Sequence, residues 1–122
     1  MYIKETEESL AKDNYDAGYA LVPFDADMEK RKANAPRAIQ YFRTVIDTTP
    51  NTDYADLSYV QLGLCYEYLN RWEDAERAYG KLIKKYTDEF GNSMTSSSEI
   101  ITQAIRFARE RLKKLQQRML IS

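Results

Sequence analysis

Residues 56–89 carry two apolar stripes at helical spacing, separated by a short break. The first stripe consists of Tyr59, Leu62, Gly63 and Tyr66, and the second of Trp72, Ala75, Tyr79, Leu82, Ile83 and Tyr86. Because residues three and four apart share one face of an α-helix, the pattern predicts two amphipathic helices. Asn70 stands at the break, and asparagine tolerates the left-handed conformation that ends many helices. The stretch therefore predicts two helices joined by a tight turn.

Gly63 lies in the middle of the first predicted helix. Glycine destabilises a helix interior relative to alanine, so its presence there requires a packing reason. We expect the second helix to cross the first at Gly63, with Ala75 as the facing small residue.

The spacing of these residues resembles the tetratricopeptide repeat, in which an aromatic residue, Leu-Gly, Tyr, Ala and a second aromatic recur at fixed offsets. The matching residues are Tyr59 (where the family prefers tryptophan), Leu62, Gly63, Tyr66, Ala75 and Tyr79. Thr87 stands where the family has its closing proline, which leaves the next repeat boundary open. The resemblance implies an all-α fold of antiparallel helix-turn-helix units. A chance amphipathic hairpin is the alternative.

A more degenerate repeat precedes this one. A helix is expected from Ile3 to about Val22, with Gly18 in the place of Gly63. Gly18 and Ala38 are 20 residues apart, whereas Gly63 and Ala75 are 12 apart, which indicates an insertion of eight residues. We place it within residues 23–36, as a solvated loop or an added helical turn.

The second helix of this degenerate repeat is expected to begin near Asn34, a plausible N-cap, with Pro36 in its first turn. Ala38, Phe42, Val45 and Pro50 match the alanine, aromatic, small apolar residue and closing proline of the repeat.

The C-terminal segment predicts one further helix. Ser96 and Glu99 have the spacing of a capping box. The apolar stripe that follows comprises Ile101, Ala104, Ile105, Ala108, Leu112, Leu115 and Met119. Such a helix caps the exposed end of a repeat array. Beyond Leu112 we expect it to overhang the rest of the chain.

The predicted organisation is a single all-α domain, residues 1–122, with about five helices. It comprises a degenerate repeat (1–50, with the insertion 23–36), a clear repeat (54–89) and a capping helix (96–120). Repeat arrays generally need about three repeats for stability. Self-association, or an origin in a longer repeat protein, is therefore expected.

The lengthened link at residues 49–56 resembles repeats of bacterial envelope proteins, among them the outer-membrane assembly lipoprotein and the periplasmic coordinator of the Tol–Pal system. No apolar run reaches the length of a membrane helix, so membrane insertion is not expected. The first ten residues are charged rather than apolar. Both a cytoplasmic protein and a periplasmic one whose targeting segment was removed fit this pattern.

The composition disfavours catalysis. Histidine is absent, which removes the usual general base and the commonest metal ligand. The single cysteine, Cys65, is expected to be buried and inert. Asp25, Asp27 and Glu29 lack the spacing of a calcium loop. We therefore expect no catalytic residue, no metal and no cofactor. The net charge of −1 gives no general attraction to nucleic acid, although the basic last helix leaves that as a less favoured hypothesis.

The resemblance implies ligand recognition on a concave face formed by the first helix of each pair. The residues expected there are Tyr15, Tyr19, Leu57, Val60, Leu64, Glu67 and Tyr68. A helix that is apolar on two faces must be covered twice. We expect a groove for a partner's helix or extended peptide, which makes the protein an adaptor or scaffold. The alternative is that the last helix or a second copy of the chain fills this groove.

Overall fold

Five helices form in the described part of the chain, without a strand. The computed structural model describes residues 2–88, 91–92 and 98–121, apart from the side chains of 2–5, 119 and 121. The helices are α1 (Tyr2–Leu21), α2 (Met28–Thr48), α3 (Asp53–Tyr68), α4 (Trp72–Lys85) and α5 (Glu99–Ile121). Each packs against the next, and α3 also contacts α1 and α5. The predicted all-α repeat fold is confirmed.

The clear repeat consists of α3 and α4, joined as predicted. Asn70 adopts a φ of 58°, and the backbone N–H of Arg71 donates to the carbonyl of Tyr66 at 2.8 Å. At the start of α3, the Thr52 side chain accepts from the backbone N–H of Ala55. The central residues of both predicted stripes are buried between these helices.

Gly63 has the close neighbour that its position predicts, but the neighbour is an aromatic ring. A Cβ at position 63 would come within 2.3 Å of the Tyr79 ring, so α3 and α4 can approach only because position 63 carries no side chain. The three nearest atoms to that Cβ all belong to Tyr79, and the expectation that Ala75 faces Gly63 stays a prediction. Ala75 is buried one turn earlier on α4, and the larger Tyr79 uses the space beside the glycine.

The same relationship recurs between α1 and α2. A Cβ at Gly18 would meet the Phe42 ring at 2.9 Å. Phe42 and Tyr79 are 37 residues apart, as are Ala38 and Ala75. The degenerate repeat therefore packs the aromatic residue of its second helix on the glycine of its first helix, as the clear repeat does.

Helix α2 begins at Met28, and the expectation of a start near Asn34 was wrong. Asp27 is the N-cap, and its carboxylate accepts from the backbone N–H of Lys30 at 2.8 Å. Pro36 lies inside the helix, while the Asn34 side chain donates to the carbonyl of Leu21 at 3.0 Å. Since α2 begins ten residues before Ala38 and α4 only three before Ala75, most of the insertion extends α2 by about two turns.

Helix α5 packs on α4 and α3 through its predicted stripe, whose described members are buried or half-buried. The hydroxyl of Ser98 accepts from the backbone N–H of Ile101 at 3.4 Å, while Ser96 lies outside the described residues. The expected overhang does not begin at Leu112, because Leu115 is only 2% exposed. Three residues further on, the Arg118 guanidinium lies 4.1 Å from the Trp72 ring centroid. Leu120 is 86% exposed.

A candidate partner-binding groove

Helix α3 presents a second apolar face, opposite the one that packs against α4. Leu57, Val60, Gln61, Leu64 and Tyr68 lie on this face, and each is half-buried. They form the floor of an open groove of about 860 Å³, which we call the α3 groove. The sequence-predicted residues Leu57, Val60, Leu64, Glu67 and Tyr68 are therefore brought together along its lining.

One wall of the α3 groove comes from the insertion. Phe24, in the link between α1 and α2, lines the groove together with Met28, Arg31 and Lys32 of the first turns of α2. Phe24 is 84% exposed, and Met28 is also an exposed apolar side chain. The insertion is evident in the sequence, but its position beside α3 is not. The available signal in the sequence was the presence of two apolar residues, Phe24 and Met28, close to the basic Arg31 and Lys32.

The opposite wall comes from α5, through Ile100, Gln103, Ala104, Phe107 and Arg111. Ile100 and Phe107 are exposed apolar side chains, and Phe107 packs edge-on against Tyr79 with ring centroids 6.5 Å apart. Helix α5 therefore flanks the α3 face and leaves the groove open.

Glu67 holds α5 in place. Its carboxylate accepts a hydrogen bond from the Tyr79 hydroxyl at 2.6 Å and forms an ion pair with Arg111, whose Nε donates at 3.1 Å. The Glu67 side chain is 10% exposed. The hydrogen bond to Glu67 raises the pKa of Arg111, while burial and Glu67 raise the pKa of Tyr79. Through these contacts the Glu67 carboxylate joins α3 to Tyr79 of α4 and to Arg111 of α5.

Arg31 lies between two aromatic rings at the groove's insertion wall. Its guanidinium is 5.7 Å from the centroid of Phe24 and 5.6 Å from that of Tyr68, which is a cation–π arrangement. It also donates to the backbone carbonyl of Phe24. Burial raises the pKa of Tyr68, and the nearby Arg31 opposes that rise. The rings thus hold a positive charge in a fixed position beside the apolar floor.

Tyr15 and Tyr19 do not line the α3 groove. Tyr15 packs between Phe42 and Tyr54, with both ring centroids 5.6 Å away, and burial raises its pKa. Its hydroxyl accepts from the Gln61 side chain at 3.4 Å. Tyr19 stacks on Tyr15, and its hydroxyl accepts from the backbone N–H of Phe24 at 3.4 Å. The two tyrosines thus contact groove residues from behind.

The α3 groove has a positive lining on a weakly acidic chain. Its described charged residues are Arg31, Lys32, Arg111 and Glu67, which sum to +2, whereas the whole chain carries −1. Since Arg111 and Glu67 pair with each other, the excess charge comes from Arg31 and Lys32.

Nucleophilic and metal chemistry have little support in the described residues. Cys65 is fully buried, and burial raises its pKa to about 12, so the thiolate is disfavoured at neutral pH. No group of three histidine, cysteine or carboxylate side chains in the described ranges could hold a metal ion. None of the helices described is long and apolar enough to cross a membrane.

Residues 57–88 match the family model of the tetratricopeptide repeat. The match covers most of α3 and all of α4, so the resemblance noted for the clear repeat is confirmed. Repeats of this family generally mediate protein–protein interactions and are typically non-catalytic. The bacterial envelope subtype stays a prediction. No curated protein and no solved structure matches the chain.

Proposed function

We propose, from the premise of a tetratricopeptide repeat at residues 57–88, that this protein is a non-catalytic interaction module that binds a partner peptide or helix in the α3 groove. The observation that carries the proposal is the apolar face of α3 that the described residues leave uncovered between two walls. Four exposed apolar side chains surround it: Phe24, Met28, Ile100 and Phe107. Contiguous apolar surface of this kind is typical of interaction sites.

The groove residues take different parts in this proposal. Leu57, Val60, Leu64 and Tyr68 make the direct contacts, because they form the floor. Glu67 acts by fixing α5 through Arg111. Tyr15 and Tyr19 support the site from behind through Gln61 and Phe24. An adaptor of this kind needs rigid apolar contacts of fixed shape, which packed tyrosine and leucine side chains provide.

The test is a selection of displayed random peptides on the wild-type protein, with counter-selection on Leu64→Glu. A glutamate at position 64 places a charge on the groove floor, so groove-directed peptides should lose binding. Lys81→Glu in α4 is the matched control, because Lys81 is exposed and does not line the groove. Peptides that bind the wild type and Lys81→Glu but not a folded Leu64→Glu support the proposal. A selection that yields no such peptide contradicts it.

A second candidate is self-assembly, with the groove as the interface between copies. Two observations favour it: Leu120 is exposed, and the described residues form two helix pairs, fewer than the three or so that a repeat array generally needs. Light scattering over a concentration series gives the solution mass. An oligomer that Leu64→Glu dissociates while the helical content is kept supports self-assembly, whereas a monomer at every concentration excludes it.

A further inference from the structure

We infer that the α3 groove selects acidic amphipathic helices, and that Arg31 and Lys32, supplied by the insertion, provide this selection. The inference rests on the proposed function and names the chemistry of the partner.

The groove floor favours a helix over an extended peptide. Three of the five floor residues, Leu57, Val60 and Leu64, have no hydrogen-bonding side-chain group, and the amide nitrogen of Gln61 already donates to Tyr15. The backbone of an extended peptide would therefore lose water and find few partners there. A helix satisfies its own backbone groups internally and can bury an apolar stripe in such a groove. From Leu57 to Tyr68 the floor spans 12 residues of α3. This is a length of about 16 Å, which matches about three turns of a docked helix.

The charges on the groove favour acidic groups on that helix. Glu67, the one acidic lining residue described, is paired with Arg111. Within the described ranges, neither Arg31 nor Lys32 forms an ion pair, and Lys32 is exposed. A partner with Asp or Glu beside its apolar stripe meets these two charges, whereas a basic partner is repelled.

Arg31 is also held in position before any partner binds. Its contacts with Phe24 and Tyr68 and with the Phe24 carbonyl fix the guanidinium at the edge of the apolar floor. A fixed side chain loses less conformational entropy on binding than a mobile one. Because α2 begins ten residues before Ala38 and α4 only three before Ala75, Arg31 and Lys32 lie on the turns that the insertion adds, and the selectivity belongs to the insertion.

The test uses two synthetic stapled helices of about three turns that share one leucine-rich face. One carries glutamate at the positions beside that face, and the other carries lysine. We expect the wild type to bind the glutamate helix about tenfold more tightly than the lysine helix in fluorescence anisotropy at low salt, with the difference shrinking at high salt. Arg31→Glu/Lys32→Glu should reverse the preference.

Lys81→Glu/Lys84→Glu is the matched control, since it makes the same change in charge at two exposed positions of α4 that do not line the α3 groove. It should leave the preference for the glutamate helix unchanged. If Arg31→Glu/Lys32→Glu loses helical content, Arg31→Gln/Lys32→Gln replaces it and should abolish the preference without reversing it.

The outcomes separate this inference from the proposed function. Equal binding of both helices, lost in Leu64→Glu, overturns the charge selectivity and leaves the groove as a binding site.

If neither helix binds the wild type, the peptides selected on the wild type test the charge selectivity instead. An excess of acidic residues among those that Leu64→Glu rejects supports the inference, and no excess overturns it. If no peptide is sensitive to Leu64→Glu, both proposals fail. A homodimer that Arg31→Glu/Lys32→Glu dissociates identifies a second copy as the occupant and overturns the inference.

Discussion

Tyr79 lies against the backbone of Gly63, with its ring in the space that a side chain at position 63 would occupy. The ring is fully buried, and the Tyr79 hydroxyl is tied to Glu67. Neither end of this side chain can move without breaking other contacts. Gly63 therefore sets the distance between α3 and α4, and through Tyr79 it positions Glu67 and the adjoining wall of the groove.

Gly63→Ala should lower the free energy of unfolding by about 1–3 kcal/mol, because the added methyl group forces Tyr79 from its packed position. Gly80→Ala is the control, since a Cβ there meets nothing within 4 Å. That substitution should raise stability by about 0.5–1 kcal/mol through helix propensity alone. Urea denaturation measures both, and equal midpoints for the two variants would show that the close approach is unimportant.

The pattern in the clear repeat was sufficient to predict its helices and buried faces. Periodic burial is a local property, so Leu62, Tyr66 and Leu82 could be assigned to the core from spacing alone. The turn at Asn70 was predictable because it depends on the backbone preference of one residue. The residues of the groove floor followed in turn from the resemblance, which implies ligand recognition on the first helix of each pair. That this face binds a partner stays a prediction.

The remaining parts of the site depend on contacts between distant segments. Asp27 is a good N-cap, but Pro36 competes with it as a sign of a helix start, and the sequence does not rank the two. The Glu67–Arg111 pair joins residues 44 apart in the chain, and nothing local to either residue indicates it. For the same reason, the placement of Phe24 and Arg31 beside Tyr68 could not be predicted.

Glu67→Ala should destabilise the protein by about 1–3 kcal/mol, because it leaves the Tyr79 hydroxyl and Arg111 without their acceptor. The loss should appear as faster amide exchange in α5, which Arg111 joins to α3. Arg77→Ala is the control, since its exposed pair with Asp74 should contribute less than about 1 kcal/mol. Unchanged exchange in α5 in Glu67→Ala would contradict this role for the ion pair.

Cys65 should not react with a thiol reagent while the protein is folded. Its side chain is fully buried, and burial raises its pKa to about 12. At about pH 8 the reagent therefore cannot reach the sulfur, and the thiol is not ionised. Gln116→Cys on the exposed face of α5 provides a reactive control thiol in the same protein. We expect rapid modification of residue 116 and modification of Cys65 only in urea. Rapid modification of Cys65 in the native wild type would show that α3 opens locally.

Stability should fall as the pH rises above about 10. Burial and acceptance of the hydroxyl proton by Asp56 raise the pKa of Tyr86 above the ordinary 10.0, and burial and Glu67 do the same for Tyr79. Because the folded state favours the neutral phenol, its stabilising contribution is complete below the unfolded-state pKa. It is lost as the pH rises from there through the folded-state pKa. Urea midpoints between about pH 8 and 11 measure the decline.

Two variants assign this alkaline decline to particular tyrosines. Tyr86→Phe should cost about 1 kcal/mol near neutral pH, because its hydrogen bond to Asp56 is lost, and it should also make the decline shallower. Tyr41→Phe, at an exposed position, should leave the decline unchanged. A decline equally steep in Tyr86→Phe and the wild type would exclude this tyrosine as a source.

Asp27→Ala should loosen the groove wall that the insertion supplies. The Asp27 carboxylate accepts from the backbone N–H of Lys30 at the start of α2, and loss of an N-cap costs about 1 kcal/mol. Because the first two turns of α2 carry Met28, Arg31 and Lys32, amide exchange there should accelerate while α4 stays protected. Asp25→Ala, at an exposed position in the same link, should have no such effect. A global loss of stability in Asp27→Ala, without faster exchange confined to these turns, would show that the extension of α2 is part of the core rather than a separate wall.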